Sequence, residues 1–195
     1  MFLSVLNDKL ARSNNDKDKH LFTAMIAVLK YIDEQTNLKQ FYFGTDSFEY
    51  VWEKLIDRVY GIKDKYKFFP RTRWYLKGKV KENYALEPDS IMLHNGKIYV
   101  LDAKYYRYGI TGNPMHLPES SSINKQITYG EYIYTQERFK REYGDDVPVY
   151  NAFLMPYNSA KNVFGFDSIY GNIGEAKGDW KVGDHNYERV QGIVV

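Results

Sequence analysis

The chain has 195 residues, a length that fits one domain with an ordinary hydrophobic core and a short extension. Apolar residues make up 44% of the chain, which excludes a disordered protein, and the absence of cysteine excludes disulfides and thiolate metal sites. No apolar run approaches the roughly 20 residues that a membrane-spanning helix needs, so we expect a cytoplasmic protein without a membrane partner.

Two helices are predicted in the first third of the chain from apolar residues that recur at helical spacing. The first covers residues 18–35 and carries no candidate chemistry, so residues 1–40 are interpreted as an N-terminal helical extension of a domain formed by residues 41–195. The second helix is capped by Thr45 or Asp46 and ends at Gly61. Its buried stripe is predicted to contain Phe48, Val51, Trp52, Leu55, Ile56 and Val59.

A strongly basic segment follows the second helix. Residues 58–81 contain nine basic residues and one acidic residue, so this segment has a local charge of +8 in a chain whose net charge is +2. Aromatic residues alternate with these cations, a composition typical of contact with a phosphate backbone. We expect Arg71, Arg73 and Lys77 to bind DNA. The alternative is a solvent-exposed edge strand that its lysines protect from aggregation.

The strongest hairpin signal is Asn95-Gly96, which stands between two apolar, β-prone runs. A type I′ turn requires positive φ at both central residues, and this dipeptide tolerates it. A two-residue loop pairs His94 with Lys97, and counting outward places Asp89 opposite Asp102. Because side chains alternate along a strand, one face of the hairpin then carries four charged residues: Glu87, Asp89, Asp102 and Lys104.

The opposed pair of Asp89 and Asp102 predicts a cation site. Directly opposed residues have Cβ atoms roughly 4.5–5.5 Å apart, and like charges at that separation repel. Oxygen ligands suit Mg²⁺, with Mn²⁺ as a substitute, and Lys104 lies close enough in sequence to address a phosphate or a water. In the alternative interpretation the hairpin is structural, and Asp89 and Lys104 form a surface ion pair of little energetic value.

The remainder of the chain predicts a mixed architecture. A Gly/Pro/Ser-rich loop covers residues 105–121, and the segment 168–186 is predicted to be a second loop. Between and after these loops we expect a helix at 122–143 and three strands, at 147–155, 162–166 and 190–195. Helices on both sides of a hairpin, followed by further strands, indicate an α/β fold with a mixed central sheet flanked by helices.

These residues carry a resemblance to a known class of enzymes. Pro88-Asp89, twelve residues, and then Asp102-Ala103-Lys104 resemble the signature of PD-(D/E)XK nucleases. The segment Ile98 to Tyr106 and the later Ile123-Asn124-Lys125-Gln126 are similar to the LlaJI family of restriction endonucleases, over residues 40–155. The resemblance implies a restriction-endonuclease-like core, with residues 41–195 as its catalytic domain.

The resemblance also implies roles for individual residues. Asp89, Asp102 and the carbonyl of Ala103 would bind the metal, with an acidic residue from the preceding helix completing the site. Both Glu49 and Glu53 match that element, and the choice between them stays open. On the helix after the hairpin, Gln126 would orient phosphate or water, and Lys125 would bind the DNA phosphate.

The function implied by the resemblance is a Mg²⁺-dependent endonuclease that cleaves double-stranded DNA in a restriction system. Systems of this type resemble McrBC, in which an AAA+ GTPase subunit (McrB-like) assists the nuclease, and a double-strand cut suggests a homodimer or pairing by that partner. Two alternatives remain open: a nuclease of DNA repair or junction processing, and a degenerate fold that serves as a DNA-binding or assembly module.

Overall fold

The structure, a computed structural model, describes residues 2–13, 18–19, 21–26 and 47–195. The chain divides into two compact units, Met1–Thr45 and Asp46–Val195. In the first unit, helix α1 spans Phe2–Arg12, and residues 18–19 and 21–26 are helical as predicted. The rest of the predicted helix 18–35 lies outside the described residues. No helix in the described part of the chain is both long and apolar enough to cross a bilayer.

The second unit begins with helix α2, Phe48–Tyr60. Its N-cap position is Ser47, whereas the predicted caps Thr45 and Asp46 lie outside the described residues; its end at Gly61 is confirmed. The prediction of a fully buried stripe was wrong. Only Trp52 and Ile56 are buried, because the helix meets the sheet along a narrow line one turn long. The other four residues of that stripe are exposed: Phe48, Val51, Leu55 and Val59.

Two sheets follow. A two-stranded antiparallel ribbon is formed by β1 (Arg71–Leu76) and β2 (Lys79–Ala85). The central sheet has the strand order β3-β4-β5-β7-β6 and is mixed: β4, β5 and β7 are parallel neighbours, and the two edge strands are antiparallel. Its members are β3 (Ser90–His94), β4 (Lys97–Ala103), β5 (Val149–Met155), β6 (Gly171–Lys177) and β7 (Arg189–Val194). The prediction of an α/β fold with a mixed central sheet is confirmed.

Three helices lie between β4 and β5: α3 (Tyr108–Thr111), α4 (Ser120–Thr135) and α5 (Glu137–Tyr143). The single helix predicted for residues 122–143 is therefore two helices, separated at Gln136, and its end at Gly144 is confirmed. The strand predicted at 162–166 was wrong, and the predicted loop 168–186 instead contains β6. Edge strand β6 contains two glycines and few apolar residues, so its sequence lacks the usual strand pattern.

Side chains of β4 alternate between the two faces of the sheet. Ile98 and Val100 pack with Tyr129 and Ile133 of α4, whereas Leu101 packs with the α2 residues and with Ala152 and Leu154 of β5. The two sides of β4 are thus anchored to different helices. This places the end of β4, where Asp102 lies, between α2 and α4.

Glycine at position 130 allows α4 to lie close to β5. A Cβ atom at this position would lie 2.7 Å from the side-chain amide of Asn151 and 2.9 Å from Cβ of Tyr187. The Asn151 amide has little room to move, because its Nδ2 donates to the carbonyl of Tyr187 at 2.7 Å.

We expect Gly130→Ala to destabilise the protein by about 1–3 kcal/mol, although alanine is intrinsically the better helix former by about 1 kcal/mol. Urea denaturation would measure the change. Ser121→Ala, at an exposed position of the same helix, is the matched control and should change stability by less than about 0.5 kcal/mol. Equal stabilisation by both substitutions would show that α4 does not depend on this close approach.

Candidate active site

The β3–β4 hairpin has the register predicted from its turn. His94 pairs with Lys97, and pairing continues without a shift to Ser90 and Leu101. Both turn residues have positive φ, 49° at Asn95 and 69° at Gly96, as a type I′ turn requires. The pairing ends at Ser90, and Asp89, one residue before it, is joined to the end of β4 by a hydrogen bond from the Ala103 N–H and lies within electrostatic range of Asp102.

Asp102 is held rigidly near the end of β4. The backbone of β4 is paired with β3 on one side and with β5 on the other, where Asp102 lies opposite Phe153. Its carboxylate is only 2% exposed, and Oδ2 lies 2.6 Å from the ammonium of Lys104. The backbone N–H of Lys104 donates to the carbonyl of Leu154, so β5 also fixes the start of the lysine side chain.

Asp89 lies immediately before β3 and is tied to the opposite strand. Its Oδ2 accepts a hydrogen bond of 2.8 Å from the backbone N–H of Ala103. Burial, and after it the negative charge of Asp102, raises the pKa of Asp89 to about 6, while the Ala103 N–H and the Lys104 ammonium act in the opposite direction. One favourable hydrogen bond therefore does not cancel the combined cost of burying the Asp89 carboxylate and placing it near Asp102.

Lys65 holds the backbone of Asp89 in place. Its Nζ donates to the Asp89 carbonyl at 2.6 Å and forms an ion pair with Asp57 Oδ2 at 2.7 Å. Lys65 therefore connects α2 to the loop that presents Asp89. The sequence offered no signal for this contact, since Lys65 is one of nine cations in a basic segment and lies 24 residues before its partner.

Tyr129 of α4 is a second residue near the site that the sequence did not indicate. Its hydroxyl is buried and has no hydrogen-bond partner among the described residues. Burial raises the pKa of Tyr129 above its usual range, and the charges of Asp102 and Asp89 raise it further. In the sequence, Tyr129 follows the apolar spacing of α4 and is indistinguishable from a purely structural core tyrosine. Lys125 is exposed, with its Nζ 5.6 Å from the centre of the Tyr129 ring.

Gln126 is placed differently from the predicted phosphate- or water-binding residue. It is 1% exposed, and its Nε2 donates to the carbonyl of Val100 at 2.6 Å. In this structure Gln126 attaches α4 to β4, two residues before Asp102. Its role in binding phosphate or water stays a prediction.

The two candidate glutamates on α2 differ in their environment. Glu53 is half-buried, and its negative charge contributes to the raised pKa of Asp89, whereas Glu49 is exposed. The structure thus favours Glu53 as the third acidic residue. Within the described residues, however, no group of three or more carboxylate, histidine or cysteine side chains is close enough to hold a metal ion.

The donors present nevertheless fit a hard divalent cation in their chemistry. Asp102 is buried and Asp89 half-buried, and the pKa of Asp89 is raised first by burial of its carboxyl and then by the negative charge of Asp102. Mg²⁺ is commonly held by one or two carboxylates together with waters and substrate phosphates, so two converging carboxylates are a sufficient protein contribution.

Comparison of the sequence with models of known protein families identifies the family of this chain. The model described as LlaJI restriction endonuclease matches residues 1–173. The chain belongs to this family. The match extends beyond the predicted 40–155 and includes the N-terminal residues 1–40. Comparisons with curated proteins and with solved structures gave no match.

In this LlaJI-family chain, three of the four basic residues predicted to bind DNA are found on the β1–β2 ribbon, and the fourth, Lys125, is on α4. Arg71 and Arg73 both form ion pairs with Glu82, at 3.7 and 2.7 Å. Lys77 lies in the turn between the two strands, next to Gly78, whose φ is 81°. DNA binding by these three residues stays a prediction.

The raised pKa of Asp89 predicts a pH-dependent stability of the metal-free LlaJI-family protein. Below about pH 4 the carboxyl is protonated in both the folded and the unfolded state. Between about pH 4 and 6 the folded state retains a proton that the unfolded state has released, so stability falls as pH rises and levels off above pH 6. The loss is up to roughly 3 kcal/mol, taking about 1.4 kcal/mol for each unit of pKa.

Asp89→Asn should therefore raise the Tm in EDTA at pH 7.5, with little effect at pH 4. Asparagine retains an acceptor for the Ala103 N–H but carries no charge. The control is Asp179→Asn, which neutralises an exposed carboxylate and should leave Tm nearly unchanged at both values. A Tm gain at position 89 that is the same at pH 4 and pH 7.5 would contradict the electrostatic explanation.

Proposed function

We propose that this restriction endonuclease family member is a Mg²⁺-dependent DNA endonuclease that acts as the cleavage subunit or domain of a restriction system. The observation that carries the proposal is the closely placed Asp89 and Asp102, with Asp102 buried and ion-paired to Lys104, in a chain of the LlaJI family. Membership in the family supports a nuclease with DNA as substrate. The dependence on Mg²⁺ is our inference from the two carboxylates.

The residues that would hold the metal are Asp89, Asp102 and the carbonyl of Ala103, with Glu53 at the edge of the site. When bound, the metal would lower the pKa of a coordinated water and stabilise negative charge on the scissile phosphate. The protein contributes the rigidity: β5 fixes Asp102, and the Ala103 N–H and Lys65 fix Asp89 from two directions. Positioned carboxylates need no rearrangement during the reaction.

Lys104 would act on the attacking water and on the phosphate. Its ion pair with Asp102, together with the fixed backbone at Lys104, restrains the ammonium beside both carboxylates. From this position it can orient the water, assist its deprotonation and compensate negative charge that develops on the phosphate. Lys125, exposed on the first turns of α4, would bind a DNA phosphate at the same end of the sheet.

We further infer that site recognition lies in a separate domain or on a partner subunit. The 195-residue sequence contains no GxxxxGK[ST] motif that would cradle a nucleotide phosphate. An AAA+ GTPase of the McrB-like type is the proposed partner, and a homodimer is the proposed way to bring two active sites to the two DNA strands.

Asp102→Ala and Lys104→Ala should each reduce plasmid cleavage in Mg²⁺ or Mn²⁺ by at least about 100-fold, whereas DNA binding largely survives. Calorimetry with Mn²⁺ separates the two roles: Asp102→Ala should lose metal binding, and Lys104→Ala should retain it. EDTA should abolish cleavage by the wild type. Full activity in both variants would exclude this site.

The wild type alone has two further informative outcomes. Mn²⁺ binding without cleavage would indicate a nuclease that requires its partner subunit, and the assay should then be repeated with that subunit. No Mn²⁺ binding by the wild type would favour the degenerate DNA-binding or assembly module instead.

A matched pair of substitutions can decide between the two glutamates on α2. Glu53→Gln should weaken Mn²⁺ binding by about 10-fold, because Glu53 is half-buried and acts electrostatically on Asp89. Glu49→Gln, one helical turn away and exposed, should leave the affinity within about 2-fold of wild type. The reverse order of effects would assign the third acidic position to Glu49.

A further inference from the structure

The β1–β2 ribbon has no hydrophobic core of its own. No residue between Arg71 and Ala85 is buried, and the base of the ribbon is closed by a hydrogen bond from the Leu86 N–H to the Pro70 carbonyl. Yet it carries large apolar side chains in solvent, with Trp74 59% and Tyr84 97% exposed. A two-stranded ribbon is marginally stable by itself, so exposed aromatic residues on it indicate a binding role.

The register divides the charges of the ribbon between two faces. Arg73 lies opposite Glu82, while Trp74 lies opposite Lys81 and Leu76 opposite Lys79. Because opposed residues share a face and successive residues alternate, Trp74, Lys79 and Lys81 lie on one face, and Arg73 and Glu82 on the other. We call the first the tryptophan face and the second the arginine face. The arginine face also includes Arg71, which reaches Glu82 at 3.7 Å.

The two faces differ in the charge they offer to a partner. On the arginine face, Glu82 accepts from Arg73 Nε and Nη2 at 2.9 and 2.7 Å, so an acid already occupies these guanidinium donors. On the tryptophan face, no acidic side chain in the described part of the chain forms an ion pair with Lys79 or Lys81. Only the tryptophan face therefore presents cations without competing carboxylates.

We propose that the tryptophan face binds duplex DNA, with Lys79 and Lys81 on phosphates and Trp74 against the sugar and base edges between them. This inference rests on the proposed function, since it assigns a contact surface for the DNA substrate. A two-stranded ribbon fits the major groove of B-form DNA, and lysines spaced along it match the charge of a phosphate backbone.

The position of the ribbon in the chain supports this assignment. Strand β2 ends at Ala85, and Asp89 follows four residues later, a separation of at most about 14 Å in a fully extended chain. DNA held by the ribbon is thus close to the carboxylate pair. Lys65 donates a hydrogen bond to the Asp89 carbonyl and so holds in place the end of the segment that connects β2 to β3.

Matched double substitutions on the two faces test the proposal. Lys79→Ala/Lys81→Ala and Arg71→Ala/Arg73→Ala each remove two positive charges from the same ribbon, so their long-range electrostatic effects are alike. Binding of a fluorescent DNA duplex is measured by anisotropy in EDTA, which prevents cleavage, over a series of salt concentrations. Circular dichroism confirms that both proteins are folded.

We expect the lysine pair to reduce the slope of log Kobs against log [salt] by about 2, since each lost phosphate contact contributes about 0.9. The arginine pair should change the slope by less than half as much. Trp74→Ala should weaken binding by about 10-fold with little change of slope. Tyr75→Ala removes an aromatic residue on the arginine face that is even more exposed (78% against 59%), and it should weaken binding by less than 3-fold.

Equal slope changes for the two doubles, or a larger change for the arginines, would overturn the proposal. A wild type that binds no duplex would overturn it as well, and would leave a protein partner as the occupant of the ribbon. Mn²⁺ calorimetry on the same proteins keeps this result separate from the proposed function. Suppose that the wild type and both double variants bind Mn²⁺ with the same affinity and also bind DNA with the same affinity. The assignment of the ribbon as a DNA-binding surface is then wrong, while the proposed metal site is unaffected.

Discussion

The repulsion between Asp89 and Asp102 is the constraint around which this domain is built. A type I′ turn sets a register that ends one residue short of the two carboxylates, and pairing of β4 with β5 prevents Asp102 from moving away. The Ala103 N–H and Lys65 hold Asp89 against its neighbour, and Lys104 compensates part of the charge. The pKa of Asp89 nevertheless rises to about 6, so the folded protein retains an electrostatic cost that a bound cation would relieve. A structural hairpin would gain nothing from such an arrangement.

Local sequence rules were sufficient for the centre of this site. Asn95-Gly96 and a side-chain period of two predicted the register from His94–Lys97 to Ser90–Leu101, because a hairpin depends on contacts only a few residues apart, and Asp89 lies one residue beyond this paired stretch. Lys65 and Tyr129 could not be found in the same way. Each is brought to the carboxylates by packing of a separate element against the sheet, and neither departs from the pattern of its own segment. The same reason explains β6, whose glycine-containing sequence forms a strand only because β7 offers it an edge.

Helical periodicity overestimated how much of α2 is buried. A stripe of six apolar residues predicted a broad contact with the sheet and left the choice between Glu49 and Glu53 open. The helix instead contacts the sheet through Trp52 and Ile56, and the Trp52 indole donates to the carbonyl of Leu154 at 3.0 Å. Glu53 directly follows that anchoring tryptophan, so it lies half-buried within electrostatic range of Asp89. The spacing of apolar residues indicates which side of a helix is apolar. How much of that side is buried depends on the shape of the neighbouring sheet.

The basic segment shows why a local net charge does not by itself define a binding surface. Its +8 is distributed over residues with different tasks in the fold: Lys65 neutralises Asp57 and supports Asp89, and Arg73 is saturated by Glu82, which lies just beyond the segment. The sequence pattern does not distinguish these cations from one another. Only the strand register separates cations that already have an anionic partner from those that have none. A surface can attract DNA with the charge that folding leaves uncompensated, and on this ribbon that charge lies with Lys79 and Lys81.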